Sequence, residues 1–338
     1  MTLPRALRSI GFRARRAFRA VGQEAATEVD RVRSLRRSGA DLALFHEFAP
    51  PPTGGGHQFL RALVSEFERR GLEVELNRIS SGTPVCLFNS FNFDFRRLRR
   101  FAGPDCRMVH RVDGPIGMYR GWDDGTDGRI EKINRDVADA TVFQSGFSRD
   151  AHHDLGIDLR DPVVIRNAVD PAIFRAPAGR EPFRGRKVRL IATSWSDNPN
   201  KGADVFRWLD RHLDADRFEL TFVGRSPEPF ERIRTVGPLP SRALAGELRG
   251  HDVYLAASRN DPCSNALLEA LACGLPAVYR TSGGHPELVG DGGLPFSKPE
   301  ELPDVLDRLV AELEDRRAAI RVLPLSEVAD RYLEVLQP

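Results

Sequence analysis

Ser258-Arg-Asn-Asp-Pro-Cys-Ser-Asn-Ala-Leu-Leu-Glu-Ala-Leu-Ala-Cys-Gly-Leu-Pro276 decides how this chain is read. The segment before it, His251-Asp-Val-Tyr-Leu-Ala-Ala257, is apolar and carries the β-formers Val253 and Tyr254, so it reads as a strand. Ser264 or Asn265 then caps a helix by accepting a hydrogen bond from an early free N–H. Gly274 and Pro276 mark its end. Leu267, Leu268, Leu271 and Ala272 make the helix almost wholly apolar, which predicts burial. Glu269 sits in its middle, where an ionised carboxylate is costly unless groups donate hydrogen bonds to it. Two arrangements satisfy it: the adjacent hydroxyls of a ribose, or an Arg from elsewhere in the chain. The free N–H groups at the helix start suit a diphosphate, and Asp261, eight positions before Glu269, is placed to meet hydroxyls of a second sugar. On the first arrangement one stretch holds ribose, diphosphate and transferable sugar in line; on the second it is an ordinary capped helix.

The chain around it has 338 residues, enough for two domains with proper cores. Hydrophobic residues make up 41% and charged residues 29%, the balance of a soluble globular protein. The net charge of +2 is unevenly spread: residues 1–40 hold ten Arg against Glu24, Glu28 and Asp30, leaving 40 basic against 45 acidic side chains in the remainder. That is a basic arm, not a basic domain, and no nucleic-acid partner is expected. In the arm, Leu3, Leu7, Ile10, Ala14, Phe18 and Val21 recur at helical spacing, with Arg5, Arg8, Arg13, Arg15, Arg16 and Arg19 between them. The pattern suits a helix lying on an anionic membrane surface; a solvated tail or a helix packed on its own protein would look the same. Cys86, Cys106, Cys263 and Cys273 lack metal-type spacing and sit in apolar contexts, which suits a reducing cytosol. With no run of 18 apolar residues and no signal-peptide core, a cytoplasmic protein, peripheral on the inner membrane face through its arm, is expected.

Residues 41–172 read as a first domain. Asp41–Glu47 is a strand, Pro50-Pro-Pro-Thr-Gly-Gly-Gly56 a loop, and His57–Arg70 a helix with the apolar stripe Phe59, Leu60, Leu63, Val64 and Phe67. Gly55 and Gly56 let backbone N–H groups approach an anion, although the loop is neither a Gly-x-Gly-x-x-Gly nor a P-loop pattern and is equally a flexible turn. Strands at Leu72–Leu76, Val85–Phe88, Arg107–Val112, Ala140–Gln144 and Val163–Asn167, with helices around Ile130–Val137 and Phe147–Leu155, predict a mainly parallel sheet covered on both faces. Ligands in such sheets bind beyond the strand C-terminal ends. That rim holds Gly55, Gly56, Asn89, His110, Asp113 and Ser145. His110 is a candidate donor to a sugar hydroxyl or a structural hydrogen-bonder, and Arg111 and Asp113 can pair with each other. Trp122–Gly128 is an acidic loop without the Glu that closes a calcium site.

Residues 173–186 carry Pro and Gly without periodicity and form a linker. A second alternating unit spans 187–322, with strands at Lys187–Thr193, Phe218–Gly224, His251–Ala257 and Ala277–Tyr279, a helix over Ser241–Gly250 and another over 300–315. Residues 323–338 form a last helix, placed to cross back to the first domain. The chain has 46 Arg but only four Lys, so Lys201, just before a helix start, is above background and suits a diphosphate; the plain alternative is a surface Lys beside a turn glycine. Gly283 and Gly284 offer another close backbone approach.

Taken together in this order, these segments resemble the retaining, nucleotide-sugar-dependent glycosyltransferases of family four. The family frame Ser-x-x-Glu…Glu-Ala-x-Ala-x-Gly-x-Pro is matched by Ser258-Arg-Asn-Asp261 and Glu269-Ala-Leu-Ala-Cys-Gly-Leu-Pro276. Val164–Asp170 followed by Phe174 resembles the hinge segment, and Gly283–Gly293 the late Gly-Gly…Glu segment. The resemblance covers roughly residues 41–336 and implies an α/β, GT-B fold: two Rossmann-like domains with parallel sheets facing across a cleft. It implies that Glu269 binds the ribose, that Asp261 faces the donor sugar, that Lys201 and the Gly55-Gly56 amides hold the diphosphate, and that His110 is the first-domain histidine near the sugar. Ser264, Asn265, Gly283 and Gly284 complete the donor site. The chain departs from the family with Asp261 in place of Glu, Ala168 in place of Gly, and Thr193-Ser-Trp-Ser196 where an Arg phosphate clamp is usual; Arg225, Arg259 or Arg280 would have to supply that charge.

The implied activity is transfer of a hexose-type unit from a nucleoside-diphosphate sugar to a hydroxyl of a glycan or lipid-linked acceptor, with Lys201, Asp261 and His110 as catalytic candidates. No cofactor and no metal are expected. The alternatives are an epimerase or hydrolase on the same fold, or a non-catalytic sugar-nucleotide-binding protein, motivated by the missing Arg. A dehydrogenase would need a dinucleotide fingerprint after a domain's first strand, and neither domain has one.

Overall fold

The computed structural model describes residues 25–34, 39–49, 55–91, 93–179, 185–196, 198–226 and 228–337. The lipid-surface pattern in the basic arm, Pro50–Gly54 of the glycine loop and residues 180–184 of the linker lie outside the described residues.

Two six-stranded sheets, every pairing parallel, form the two domains. The first holds β1 (Leu42–Phe45), β2 (Val74–Leu76), β3 (Val85–Asn89), β4 (Arg107–Val112), β5 (Ala140–Phe143) and β6 (Pro162–Val164), in the order β2-β1-β3-β4-β5-β6. The second holds β7 (Val188–Ser194), β8 (Phe218–Gly224), β9 (Arg234–Val236), β10 (Val253–Ala256), β11 (Ala277–Arg280) and β12 (Gly293–Phe296), in the order β12-β11-β10-β7-β8-β9. Helices cover both faces, so β1, β3, β5, β10 and β11 are buried at every position. That is why their sequences are continuous apolar runs rather than alternating ones.

The helix Gly55–Arg69 buries Phe59, Leu60, Ala62, Leu63 and Phe67 on one stripe and stops at Gly71, whose φ of +85° suits only a residue without Cβ. Against it lies the last helix, Leu325–Leu336, which buries Leu325, Val328, Ala329, Tyr332 and Leu336. These residues share one apolar core with β1, β3, β4 and β5, so the C-terminal helix belongs to the first domain's core. Tyr332 packs on Phe59 with ring centroids 6.0 Å apart. Arg70 donates to Asp330 at 2.5 Å, and Arg107 Nε donates to the Val335 carbonyl at 3.0 Å.

The structure differs from the sequence pattern in places. The stretch 300–315 is not one helix but a 3-10 turn (Pro299–Glu301) and two helices, Leu302–Ala311 and Leu313–Ala318. Glu312, at φ −103° and ψ 15°, breaks the run, and Leu313 stays in the second domain's core. The strand expected over Val163–Asn167 ends at Val164. Asn167 beyond it turns a fully buried amide into the domain junction described below.

Tyr332 has no exposed surface. Tyr332→Ala should therefore cost about 3–5 kcal/mol, the range for deleting a buried aromatic ring. In urea titrations this appears as a lower midpoint for the first domain's transition. An unchanged midpoint would show that the C-terminal helix lies outside that cooperative unit.

Candidate active site

In each sheet the strand order reverses direction at one place: between β1 and β3 in the first, between β7 and β10 in the second. Crevices open beyond the strand C-terminal ends at such points. Here the two crevices form one cleft of about 410 Å³. The first domain contributes His46 after β1, Gly55, Gly56 and His57 at the helix start, Asn89 at the end of β3, and Asp113, Tyr119 and Arg120 after β4. The second contributes Thr193–Ser196 at and just beyond the end of β7, Lys201, Ser258 after β10, Asp261, Ser264 and Asn265.

Lys201 and Asp261 form the charged centre of the second wall. Nζ donates to Asp261 Oδ2 at 2.8 Å, with 22% and 8% of the side chains exposed. Burial alone would pull the ammonium down and push the carboxyl up, but each holds the other charged, and the balance leaves Lys201 raised and Asp261 lowered. Lys201 Nζ also lies 4.8 Å from the centre of the Tyr119 ring, which belongs to the opposite domain. Behind Asp261, Ser258 Oγ lies 3.1 Å from His285 Nε2, and His285 Nδ1 lies 3.1 Å from the Arg280 carbonyl.

The helix expected after this loop runs from Asn265 to Ala272, with Ser264 as its cap; Ser264 Oγ accepts from Leu267 N at 3.4 Å. Its start meets the start of the Gly55–Arg69 helix across the cleft. A Cβ on Gly55 would collide with Asn265, whereas one on Gly56 would point into open space. Gly55 is thus required for the two helix starts to approach, and the two walls present their free N–H groups to the same cleft.

Beneath them a buried polar web joins the domains. Arg111 has no exposed surface and donates to Asn89 Oδ1 at 2.7 Å and Asn167 Oδ1 at 2.9 Å. Asn167 Nδ2 lies within 2.8 Å of Gln144 Oε1 and 3.1 Å of Asn265 Oδ1. Arg111 and Asp113 do pair, but loosely, at 3.4 Å; Ser90 (2.7 Å) and Gln144 also donate to the Asp113 carboxylate. On one flank the Glu287 carboxylate accepts from Gly146 N (2.9 Å) and Phe147 N (2.8 Å), capping a first-domain helix from the second domain. On the other, the Asn198 and Asn200 amides donate to the Tyr119 carbonyl at 3.3 and 3.1 Å.

The cleft therefore brings together Gly55, Gly56, Lys201, Asp261, Ser264 and Asn265. Other candidates lie elsewhere. His110 is in the middle of β4, fully buried, stacked on Phe88 with centroids 4.3 Å apart, and its Nδ1 lies 3.1 Å from the Asn134 amide. Burial lowers its pKa to about 3, so it is a neutral core histidine and does not line the cleft. Gly283 and Gly284 do not line the cleft either; they pack behind it, where a Cβ on either would strike the Asp261–Pro262 backbone, and Gly284 N donates to the Asp261 carbonyl at 2.9 Å. Arg259 and Arg280 both bind Asp204, at 2.7 and 2.6 Å. Arg225 stacks its guanidinium 4.8 Å above the Trp195 ring, beside the cleft but not lining it. Among the described residues the arginine that lines the cleft is Arg120, from the first domain, and it is paired with Asp124 at 2.5 Å.

Glu269 occupies a separate cavity of about 190 Å³, one helical turn beyond Asn265, between the Gly55–Arg69 helix and the hinge residues Ala168–Asp170. No Arg pairs with it among the described residues, and burial pushes its carboxyl up to about 8. The sequence pattern also missed His46 and His57. They line the cleft with His46 Nε2 2.8 Å from His57 Nδ1, and His46 was legible by the same strand-end rule that found Asn89. A larger groove of about 690 Å³ lies at the N-terminal ends of β7 and β8, away from either switch point. Its Lys187 donates to the Ala215 carbonyl at 2.6 Å and its Arg189 pairs with Glu219 at 3.2 Å. Among the described residues no three His, Cys, Asp or Glu side chains cluster as a metal site, and no helix is long and apolar enough to cross a membrane.

Residues 187–312 match the family model described as glycosyl transferases group 1. Over 233 residues the chain is 25% identical to MMP alpha-(1->4)-mannosyltransferase of Mycolicibacterium hassiacum, covering 61% of this chain and 56% of that protein. Over 167 residues it is 25% identical to one subunit of human phosphatidylinositol N-acetylglucosaminyltransferase, covering 45% of this chain and 34% of the relative. The chain thus spans about half or less of these relatives' lengths. The crystal structure of Anabaena HepE in complex with UDP and glucose superposes with a TM-score of 0.64 at 14% identity, covering 87% of this chain and 99% of that one. The likeness is one of fold, and the fold is GT-B.

The isolated Glu269 carboxyl has a consequence for stability. With a folded pKa of about 8 against 4.5 for an ordinary Glu, the folded protein keeps a proton that the unfolded chain has released between those values. Stability from this group is therefore fully present below about pH 4.5 and falls as pH rises towards 8. Glu269→Gln should melt above the parent at pH 9, with the gap closing towards pH 5 in scanning fluorimetry. A gap independent of pH would show that the carboxyl is paired or solvated.

Proposed function

We propose that this chain, whose residues 187–312 match the group 1 glycosyl transferase model, is a glycosyltransferase that moves a hexose-type sugar from a nucleoside-diphosphate sugar to a hydroxyl acceptor, with retention at the anomeric carbon. The observation that carries the reading is the Lys201–Asp261 pair beside a helix start, in a cleft at the switch points of two parallel sheets. The relatives named above transfer mannosyl and N-acetylglucosaminyl groups by their names, and HepE has also been seen with UDP-glucose.

The chemical burden is the charge that builds on the departing diphosphate. Lys201, the Gly55-Gly56 amides and the helix start at Ser264 are the groups on which it would fall. A diphosphate drawing Lys201 away from Asp261 frees the Asp261 carboxylate for sugar hydroxyls. Asp113 is the first-domain carboxylate in the cleft, but Ser90, Gln144 and Arg111 already engage its oxygens. It is poorly placed to act as a nucleophile, which favours attack from the same face, with the leaving phosphate oxygen taking the acceptor proton. The ribose assignment of Glu269 requires its cavity to open towards the cleft, from which it is separate in this structure.

No metal or cofactor enters this proposal; the acceptor is a glycan or lipid-linked saccharide, met on the cytoplasmic face of a membrane reached through the basic arm.

A thermal-shift screen over nucleotide sugars tests the reading first. A donor at a hundred times its Kd should stabilise the protein by about 2.7 kcal/mol, and a silent panel would remove the donor site. With the donor found, Lys201→Ala should lower kcat about 10²–10³-fold, the range for removing a group that stabilises developing charge. Loss of transfer in EDTA with rescue by a divalent ion would overturn the metal-free account.

A further inference from the structure

The cleft holds an imidazole pair that the donor chemistry above does not use. His46 follows β1 and is almost fully buried, with its ring edge-on to Phe48 at 4.7 Å; His57 is half-buried in the first turns of the Gly55–Arg69 helix. Their Nε2 and Nδ1 atoms lie 2.8 Å apart, a hydrogen bond in which one imidazole must donate and the other accept. The direction follows from the far end of His46. Its Nδ1 is buried and has no partner among the described residues. A bare lone pair is better tolerated there than a buried N–H with nothing to accept it. The proton therefore sits on His46 Nε2, which donates to His57 Nδ1. A neutral His57 with Nδ1 accepting carries its own proton on Nε2, the ring nitrogen left for the cleft.

We infer that His57, held in one tautomer by His46, presents its Nε2–H to an oxygen of the substrate complex and so positions it, supplying from the first-domain wall the imidazole that the sequence pattern assigns to His110. The inference rests on the transferase reading only for the identity of that oxygen, a sugar hydroxyl or a phosphate oxygen. A neutral donor suits either, because it orients an acceptor atom without adding a second cation beside Lys201. The surroundings keep the pair neutral. His46 is held at about 4 by burial, then by His57 and Arg111, with Asp113 opposing and Arg61 adding; His57 is lowered by burial and Arg61, with Asp113 opposing.

Imidazole nitrogen NMR on the full-length protein reads the tautomers directly. The expected result is both rings neutral at pH 7, His57 protonated on Nε2, and neither ring titrating near the ordinary 6.5. His57 protonated on Nδ1, or an imidazolium at pH 7, overturns the inference. His46→Leu should release His57 to a tautomer mixture that titrates nearer 6.5, while His46→Gln, whose amide can still donate, should hold it. Added UDP shifting the His57 resonance identifies a phosphate oxygen, and a shift with UDP-glucose alone identifies the sugar. In turnover, His57→Leu should lose about 10–100-fold in kcat/KM, the value of one oriented hydrogen bond, and His57→Gln should keep most of it. Equal losses in both variants, or none in His57→Leu, would mean the pair is structural. A silent nucleotide-sugar panel would fail the transferase reading instead, and the tautomer result would still decide the pairing.

Discussion

A guanidinium with no exposed surface sits at the junction of the two sheets, and much of the architecture is arranged around keeping it solvated by protein. Arg111 finds Asn89 at the end of β3, Asn167 at the hinge and the Phe59 ring 4.9 Å away. Removing one partner from a buried charge costs several kcal/mol, so these contacts are mutually enforcing. Asn167 accepts from Arg111 while its own amide reaches Gln144 and Asn265. One cation thereby sets where the hinge passes and where the second domain's Asn265 helix begins. The approach of the two helix starts, and hence the shape of the cleft, depends on that web.

The same logic of mutual charge holds the second-domain wall of the cleft. Lys201 and Asp261 would each be expensive alone in a site this sheltered; together each keeps the other charged. Further from the cleft, Asp204 does the same for two cations, taking Arg259 and Arg280 at once. Lys201 is thus matched one to one, whereas Asp204 shares a single negative charge between two guanidiniums.

Much of this was legible in the amino-acid sequence, for identifiable reasons. Continuous apolar strands alternating with amphipathic stretches gave two parallel sheets. The cap at Ser264 and the stop at Gly274 bracket the helix that the structure contains. The rarity of lysine in an arginine-rich chain pointed to Lys201. What failed was depth along a strand and direction around it. His110 lies two residues short of the strand end, which is enough to bury it under Phe88 rather than at the rim. Glycine pairs signal close backbone approach but not what approaches: Gly283 and Gly284 admit the Asp261 loop, not a ligand. The edge strands β9 and β12 are too short, and β12 too interrupted by Pro295, to show a pattern. The His46–His57 bond joins two elements across a loop, and no periodicity encodes it.

The crossing of the last helix bears on how the molecule is made. Leu325–Leu336 completes the core of the domain that is translated first. The second sheet, drawn from residues 188–296, has all its strands before that helix is synthesised. On the ribosome, the N-terminal half must wait with an open apolar groove along the Gly55–Arg69 helix until the final turns emerge, whereas the later half has its sheet in hand sooner. A stop falling between Ala318 and Leu325 would thus leave the earlier domain, not the later one, unfinished and prone to capture by chaperones.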